Sequence, residues 1–386
     1  MTKQSVSNLE VKKINRNQIY RCINLLERVS KPEIAANLGV SMPTVLQNVN
    51  ELLERGLVAE VGAYESTGGR KAKVISPVYN ARFAIGVDIT QNHIGMALTD
   101  LSGKVLNHTR LHKIYRNDDP YYRELSEIVL EFLRTVQISK DNFLGFGFSV
   151  PGIVTQDSQM ITDSHALGFA NLPCKLFTKY IPYDCSIFTN DANAAMIAEM
   201  YHHSEKQTAV YLSLSNSVGG SIYIKKNSGF DSQPGYDNLF LGENFRGGEF
   251  GHMTLYPGGT TCYCGKNGCV DSYCSAKVLA QNTDGKLENF FEAVEKNNLF
   301  SKTWNEYLDH LAIVINTLRM AFDCQVIIGG YVGSFIEPYL EILKKKTITL
   351  NTFELDASYI KPCRFRIEAS ALGAALRHIE NFIYTI

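Results

Sequence analysis

Residues 249–271 read Glu249-Phe-Gly-His252-Met-Thr-Leu-Tyr-Pro-Gly-Gly-Thr-Thr-Cys262-Tyr-Cys264-Gly-Lys-Asn-Gly-Cys269-Val-Asp271. One imidazole is followed, ten residues on, by three thiols. His252, Cys262, Cys264 and Cys269 together make a closed tetrahedral donor set of the kind that holds zinc. Gly265 and Gly268 give the short loop the backbone freedom to bring the thiolates together. Four protein ligands leave no open position, so the metal expected here is structural. Free thiols in a reducing compartment are the plain alternative.

The segments around this loop alternate between strand and helix. Phe83-Ala-Ile-Gly-Val-Asp-Ile is an apolar strand that carries Asp88. Strands are expected at 93–100, 104–108, 143–150, 186–191, 209–214, 220–224 and 325–330, with helices at 121–136, 192–201, 305–322, 334–346 and 370–383. Such a mixture predicts two α/β lobes with a cleft between them. Asn190-Asp191-Ala-Asn193-Ala closes one strand and opens a helix, and Pro151-Gly152-Ile-Val follows another.

The first eighty residues have a different grammar. Asn17–Val29 puts Ile19, Ile23 and Leu26 on one helical stripe, widened by Cys22 and Leu25. Pro32 suits a first helical turn and Gly39 a left-handed closure. Ser41 then caps a third helix running to about Arg55. Two short strands follow, at 57–61 and 72–76, joined by the basic tip Glu65-Ser-Thr-Gly-Gly-Arg70-Lys71. This is the pattern of a winged helix-turn-helix, with the third helix as the base reader. Ser41, Thr44, Gln47 and Asn48 supply its polar tips, and Arg70 and Lys71 reach phosphate or the minor groove. No Arg or Lys precedes Arg55 on that helix, so phosphate attraction falls to the wing, to Lys12, Lys13 and Arg16, and to a second subunit. Three helices and a hairpin could also serve protein contacts alone.

Taken together, the winged helix, Pro151-Gly152, Asn190-Asp191, Glu249-Phe-Gly-His252 and the cysteine loop resemble the ROK family of repressors, open reading frames and sugar kinases. The resemblance covers essentially the whole chain. It implies a two-lobed actin-like (ribonuclease H-like) sugar-kinase fold behind the winged helix. It also implies a sugar site formed by Asn190, Asp191, Glu249, His252 and Asp271, with Asp191 at the position of the catalytic base. His252 would then serve zinc through one nitrogen and the sugar through the other. Asp271 stands where the family usually has Glu. Ser164-His-Ala166-Leu-Gly-Phe169 replaces a segment close to Pro-Asn-Leu-Gly-Trp, losing an amide at Ala166.

Kinase members of the family carry two glycine-rich phosphate loops. Here the first, Asp-x-Gly-Gly-Thr, reads Asp88-Ile-Thr-Gln-Asn92. The second, close to Gly-Thr-Gly-x-Gly-Gly, reads Ser215-Asn-Ser-Val-Gly219-Gly220. Lost glycines remove the freedom with which backbone N–H groups close around phosphate. Asp191 is therefore expected to be a vestigial base, and neither ATP nor Mg²⁺ is expected as a cofactor.

Charge distribution agrees with this division. Residues 1–80 carry eleven Lys and Arg against seven Asp and Glu, whereas the remainder carries 27 against 32. A basic end on an acidic body fits a nucleic-acid module joined to something else. The nine cysteines are odd in number and cluster at 262–274, unlike a secreted disulfide framework. No apolar run approaches the roughly 18–20 residues a membrane span needs, and the polar N-terminus lacks a signal-peptide core. The expectation is a cytoplasmic, sugar-responsive repressor with operator DNA, a sugar effector and a second copy of itself as partners, as a homodimer or dimer of dimers. An active ATP-dependent hexose kinase with an added DNA-binding domain is the competing reading. The expected boundaries are a winged helix over 1–77, a linker over 78–83, a small lobe over 84–190 and 371–386, and a large lobe over 191–370 that holds the zinc site and a dimer surface.

Overall fold

The computed structural model describes residues 8–63, 73–184, 186–201, 207–225, 236–281 and 283–386. At its start α1 (Asn8–Leu26), β1 (Val29–Ser30), α2 (Lys31–Leu38), α3 (Met42–Glu54), β2 (Val58–Ala63) and β3 (Lys73–Pro77) form a winged helix. Ser30 opens α2 with a reciprocal cap. Its hydroxyl accepts the Glu33 N–H, and the Glu33 carboxylate accepts the Ser30 N–H at 2.7 Å. Gly39, at φ 64°, closes the helix in the left-handed region. The Ser41 hydroxyl then caps α3 through the Thr44 N–H. Ile19, Ile23, Ile34, Val45, Val49 and Leu52 are buried in one cluster with Val58 and Ile75 of the wing sheet.

Three local details differ from the sequence reading. α1 begins at Asn8, nine residues before Asn17, and its added turns bring Lys12 and Arg16 onto Glu51 of α3. Leu26 leaves the buried stripe and Leu25 does not widen it; they are 43% and 63% exposed. The wing sheet has three strands in the order β1-β3-β2, because two residues at Val29–Ser30 pair with Val74 and Ile75.

After one tight helical turn at Tyr79–Ala81, the body begins. Its first lobe contains β4 (Phe83–Ile89), β5 (His93–Asp100), β6 (Val105–His112), α4 (Asp119–Thr135) and β7 (Phe143–Val150). A small antiparallel sheet follows, β8 (Ile153–Val154), β9 (Met160–Ser164) and β10 (Phe169–Pro173), and then β11 (Ser186–Asn190) and α5 (Asp191–Tyr201). The main sheet runs β11-β7-β4-β5-β6. β4, β5 and β6 are antiparallel, while β7 and β11 extend it in parallel.

The second lobe repeats the scheme with one strand fewer. β12 (Ala209–Leu214) and β13 (Val218–Tyr223) form the antiparallel pair. The metal loop and the short helices α6 (Asp271–Cys274), α7 (Ala276–Ala280) and α8 (Leu287–Ala293) come next, before the long α9 (Asn298–Phe322). β14 (Gln325–Gly329), α10 (Gly330–Gly333), α11 (Leu340–Ile348) and β15 (Ile360–Pro362) complete the sheet in the order β13-β12-β14-β15. Among the described residues no helix is long and apolar enough to cross a membrane.

The last element, α12 (Ala369–Thr385), returns to the first lobe and ties the parts together. It lies on β4 and β7 at points where both strands carry glycine. A Cβ on Gly86 would sit 1.6 Å from the Ala371 carbonyl oxygen, and one on Gly147 would sit 2.0 Å from that of Ala374. On its other side Gly373 meets α5, where a Cβ would come within 1.6 Å of the Ala194 carbonyl oxygen. Backbone-to-backbone contact on two faces leaves no room to adapt, since interiors pack near crystal density. Gly373→Ala is therefore expected to destabilise the chain by at least about 1–3 kcal/mol, the usual cost of overpacking. Urea unfolding followed by circular dichroism would read this as a lower midpoint with an unchanged slope.

Candidate functional site

The metal loop is shaped by backbone before any cation enters. The Cys262 N–H donates to the Lys266 carbonyl at 2.7 Å, and the Gly265 N–H to that of Cys262 at 2.9 Å. Gly268 adopts φ 81°, and a Cβ there would lie 1.7 Å from the Tyr256 carbonyl oxygen. This turn gathers one donor atom from each of His252, Cys262, Cys264 and Cys269 within 4.8 Å of one another. The Cys264 and Cys269 sulfurs are 3.8 Å apart. A zinc–sulfur bond of about 2.3 Å gives a tetrahedron edge of roughly 3.8 Å. Nδ1 of His252 is buried without a hydrogen-bond partner, and burial pushes the Cys262 and Cys269 thiols upward. The donor set fits a metal ion: a cation would turn both costs into bonds.

A cleft of about 230 Å³ lies between the lobes, lined by Asp88, Asp191, Ala166, Ser213, Tyr331 and Ser370 among others. Asn190 and Glu249 line a smaller recess of about 30 Å³ together with Gly152 and Asn193. Asn190 is half committed already. Its amide donates to the Gly152 carbonyl at 3.0 Å, and its oxygen accepts the Asn193 N–H at 3.0 Å, capping α5. One N–H and one lone pair remain for a ligand. The Asp191 carboxylate accepts the Ala192 N–H at 2.9 Å. Burial, reinforced by Asp88, raises its pKa to about 7. Asp88 is pushed up to about 6 by burial, against the Ser149 hydroxyl that donates to it at 2.7 Å. Burial also raises Glu249. Two carboxyl groups in the cleft and a third in the smaller recess thus resist ionisation and can accept from, or donate to, sugar hydroxyls.

The remaining residues of the expected sugar set lie nearby, but neither faces these two spaces. His252 stands behind the cleft wall, its ring 5.6 Å from those of both His165 and Tyr263. Asp271 is 4% exposed, and its carboxylate accepts the Val218 N–H at 2.7 Å. It braces the Ser215–Gly220 loop from beneath. His165, Tyr263, Lys277, Tyr331 and Arg366 line the cleft without having been singled out in the sequence. A signal existed for Tyr263, which stands between two candidate metal donors, and for His165, which lies in the altered 164–169 segment.

In both altered segments backbone N–H groups are engaged within the chain: in 215–220 the Ser215 N–H reaches the Ser217 carbonyl at 3.2 Å and the Val218 N–H reaches the Asp271 carboxylate at 2.7 Å. Thr90 takes up the β4–β5 turn, its hydroxyl accepting the His93 N–H at 3.0 Å and its N–H reaching the His93 carbonyl at 2.9 Å. Gly329 and Gly330 lie against the Tyr211 hydroxyl, which accepts the Gly330 N–H at 3.3 Å. A Cβ on Gly329 would sit 1.9 Å from that oxygen, which is sufficient reason for glycine there. Across the cleft mouth the Arg110 guanidinium stacks on Tyr331 at 4.7 Å and donates to its hydroxyl.

On the winged helix, Ser41 and Gln47 are exposed and Thr44 is partly so. Asn48 requires a correction. It is 2% exposed, and its amide donates to the Thr44 carbonyl at 2.8 Å, so it faces the core between Val45 and Val49. Arg70 and Lys71 lie outside the described residues.

With this geometry in place, the chain can be set beside known proteins. The family model of the ROK family matches residues 84–380. A xylose repressor of Bacillus spizizenii is 24% identical over 386 residues, covering 97% of each chain. A solved ROK family transcriptional regulator, a homologue of the Escherichia coli MLC protein, superposes with a TM-score of 0.73 at 19% identity over 97% of both chains. A ROK family glucokinase from Streptomyces griseus, solved with glucose and AMPPNP, superposes with a TM-score of 0.62 at 20% identity, over 76% of this chain and 98% of its own. The first structure shares the whole fold, winged helix included; the second shares the body.

Two outcomes follow from the site. Metal analysis of the purified chain is expected to find one zinc per chain. Cys269→Ser should lose it and lower the melting temperature by several degrees. The second concerns Asp88 and Asp191, whose folded pKa values lie above those of the unfolded chain. The native state therefore keeps protons that the unfolded chain releases, and this pair makes stability fall as pH rises from about 4 to 7. Asp191→Asn removes its share of that cost. Calorimetry should show the variant's melting temperature gaining on wild type at pH 8 and not at pH 4.5.

Proposed function

The chain belongs to the ROK family over residues 84–380, and from that premise we propose that it is a sugar-responsive repressor, released from operator DNA when a sugar fills the cleft. The observation that carries this reading is α12. Its first turn lines the cleft, where the Ser370 hydroxyl donates to the Asp191 carbonyl at 3.1 Å. Its last turns hold the winged helix: Arg21 pairs with Glu380 at 2.8 Å, the Asn17 amide donates to the Ile383 carbonyl, and Lys13 lies over the Tyr384 ring. A helix of 17 residues spans about 25 Å, so a tilt of about 5° displaces its far end by about 2 Å. In a dimer whose two α3 helices must match half-sites about 34 Å apart, such a displacement weakens binding.

In this reading residues 1–77 are the DNA module and 78–83 a short linker. Residues 84–190 with 371–386, and 191–370, are the lobes that close on the sugar. Asn190, Asp191 and Glu249 hold its hydroxyls. The metal held by His252, Cys262, Cys264 and Cys269 would be a structural zinc that fixes the wall behind His165 and Tyr263. The chain works in the cytoplasm as a homodimer or dimer of dimers, without ATP or Mg²⁺. The Bacillus relative's name puts xylose first among candidate sugars.

A kinase reading draws support from Asp191, whose pKa near 7 suits a general base, and from the glucokinase-like body. ADP release with a panel of pentoses and hexoses, abolished by Asp191→Asn, would favour it. The repressor reading expects no turnover. It expects one sugar of the panel to raise the melting temperature and to weaken DNA binding at least ten-fold in fluorescence anisotropy. Glu249→Ala should lose that response and keep the DNA affinity. If every sugar left both readouts unchanged, the sensor would be excluded.

A further inference from the structure

α3 turns Met42, Pro43, Leu46, Gln47 and Asn50 to solvent, while Val45, Asn48, Val49 and Leu52 are buried. The exposed positions fall three and four residues apart, so they form one stripe along the half of the helix that enters a major groove first. Met42 and Leu46 are 38% and 42% exposed and add two large apolar side chains to that stripe. No Arg or Lys occurs from Met42 to Glu54.

Major-groove chemistry makes this composition specific. Guanine is read by Arg or Lys at O6 and N7. Adenine is read by the amide of Gln or Asn at N6 and N7, and thymine offers a methyl group to apolar side chains. The stripe holds amides and apolar groups and lacks the guanine readers. Its amides are also available. Gln47 makes only a 3.5 Å contact with Glu51, a carboxylate already held by Lys12 and Arg16. Asn50 has no hydrogen-bond partner among the described residues. The acidic end of the stripe, Glu54, is in the last turn, about 16 Å from Pro43 along the axis.

We propose that α3 reads A·T base pairs, with Leu46 and Met42 against thymine methyl groups and Gln47 and Asn50 on adenine. This rests on the DNA-binding reading above and specifies its half-site.

The test begins with the full-length protein selecting from a random duplex library. The enriched duplexes should carry an A·T core in each half-site. In anisotropy titrations of the selected duplex, exchange of one core A·T pair for G·C should cost about ten-fold or more. Replacing a core thymine by uracil removes only the methyl, and should weaken wild-type binding by roughly four-fold. For Leu46→Ala, uracil and thymine should bind alike at the pair that Leu46 contacts. Enriched sites with a G·C core, or a wild type indifferent to uracil at every core position, would overturn the assignment. Enrichment of no sequence at all would overturn the DNA-binding reading on which it rests.

Discussion

The close seating of α12 is the constraint on which the rest of the structure depends. Glycines at 86 and 147 let the helix lie directly on the first-lobe sheet, and Gly373 lets α5 lie directly on the helix. Because α5 begins at Asp191, the residue beside Asn190 at the cleft, the ligand side and the helix share one rigid contact. Because α12 ends against α1, the same helix carries the DNA module. Packed cores move between discrete arrangements and do not deform smoothly. A shift at the Asp191 end has few ways to stop before Glu380.

Cleft electrostatics and loop closure bear on one question. Asp88 and Asp191 face a common space; burial raises the pKa of both and Asp88 adds to the rise at Asp191, so the cleft carries less negative charge at neutral pH than its composition suggests. Neutral carboxyls suit hydroxyl recognition. Phosphate needs open N–H groups, and the Thr90, Ser215 and Val218 N–H groups are already engaged.

Much of this was legible in the sequence, for unequal reasons. The metal loop could be read because ligand chemistry demands particular residue types at short spacing. The helices of the module could be read because Pro32, Gly39 and Ser41 announce its boundaries. β1 and the β8–β10 sheet could not, since strands of two to five residues carry too little periodicity. Asn48 was misplaced because polarity alone suggested exposure. Its position one residue from Val49 and three from Val45 turns it inward, where an i−4 carbonyl satisfies its amide. The bracing role of Asp271 depends on a contact 53 residues away, and the anchoring of α1 on α12 on contacts more than 350 residues apart. No local pattern encodes such pairings.

The central claim is that cleft and DNA face are coupled through α12, and coupling of this kind is reciprocal. The direct measurement is calorimetric titration of the sugar that shifts the melting temperature, into the free protein and into its complex with the selected duplex. The account predicts that DNA weakens sugar binding by the same factor as the sugar weakens DNA binding. Glu380→Ala, which breaks the Arg21 pair and touches neither site, should bring that factor toward one. Equal sugar affinity in the free and DNA-bound wild type would contradict it.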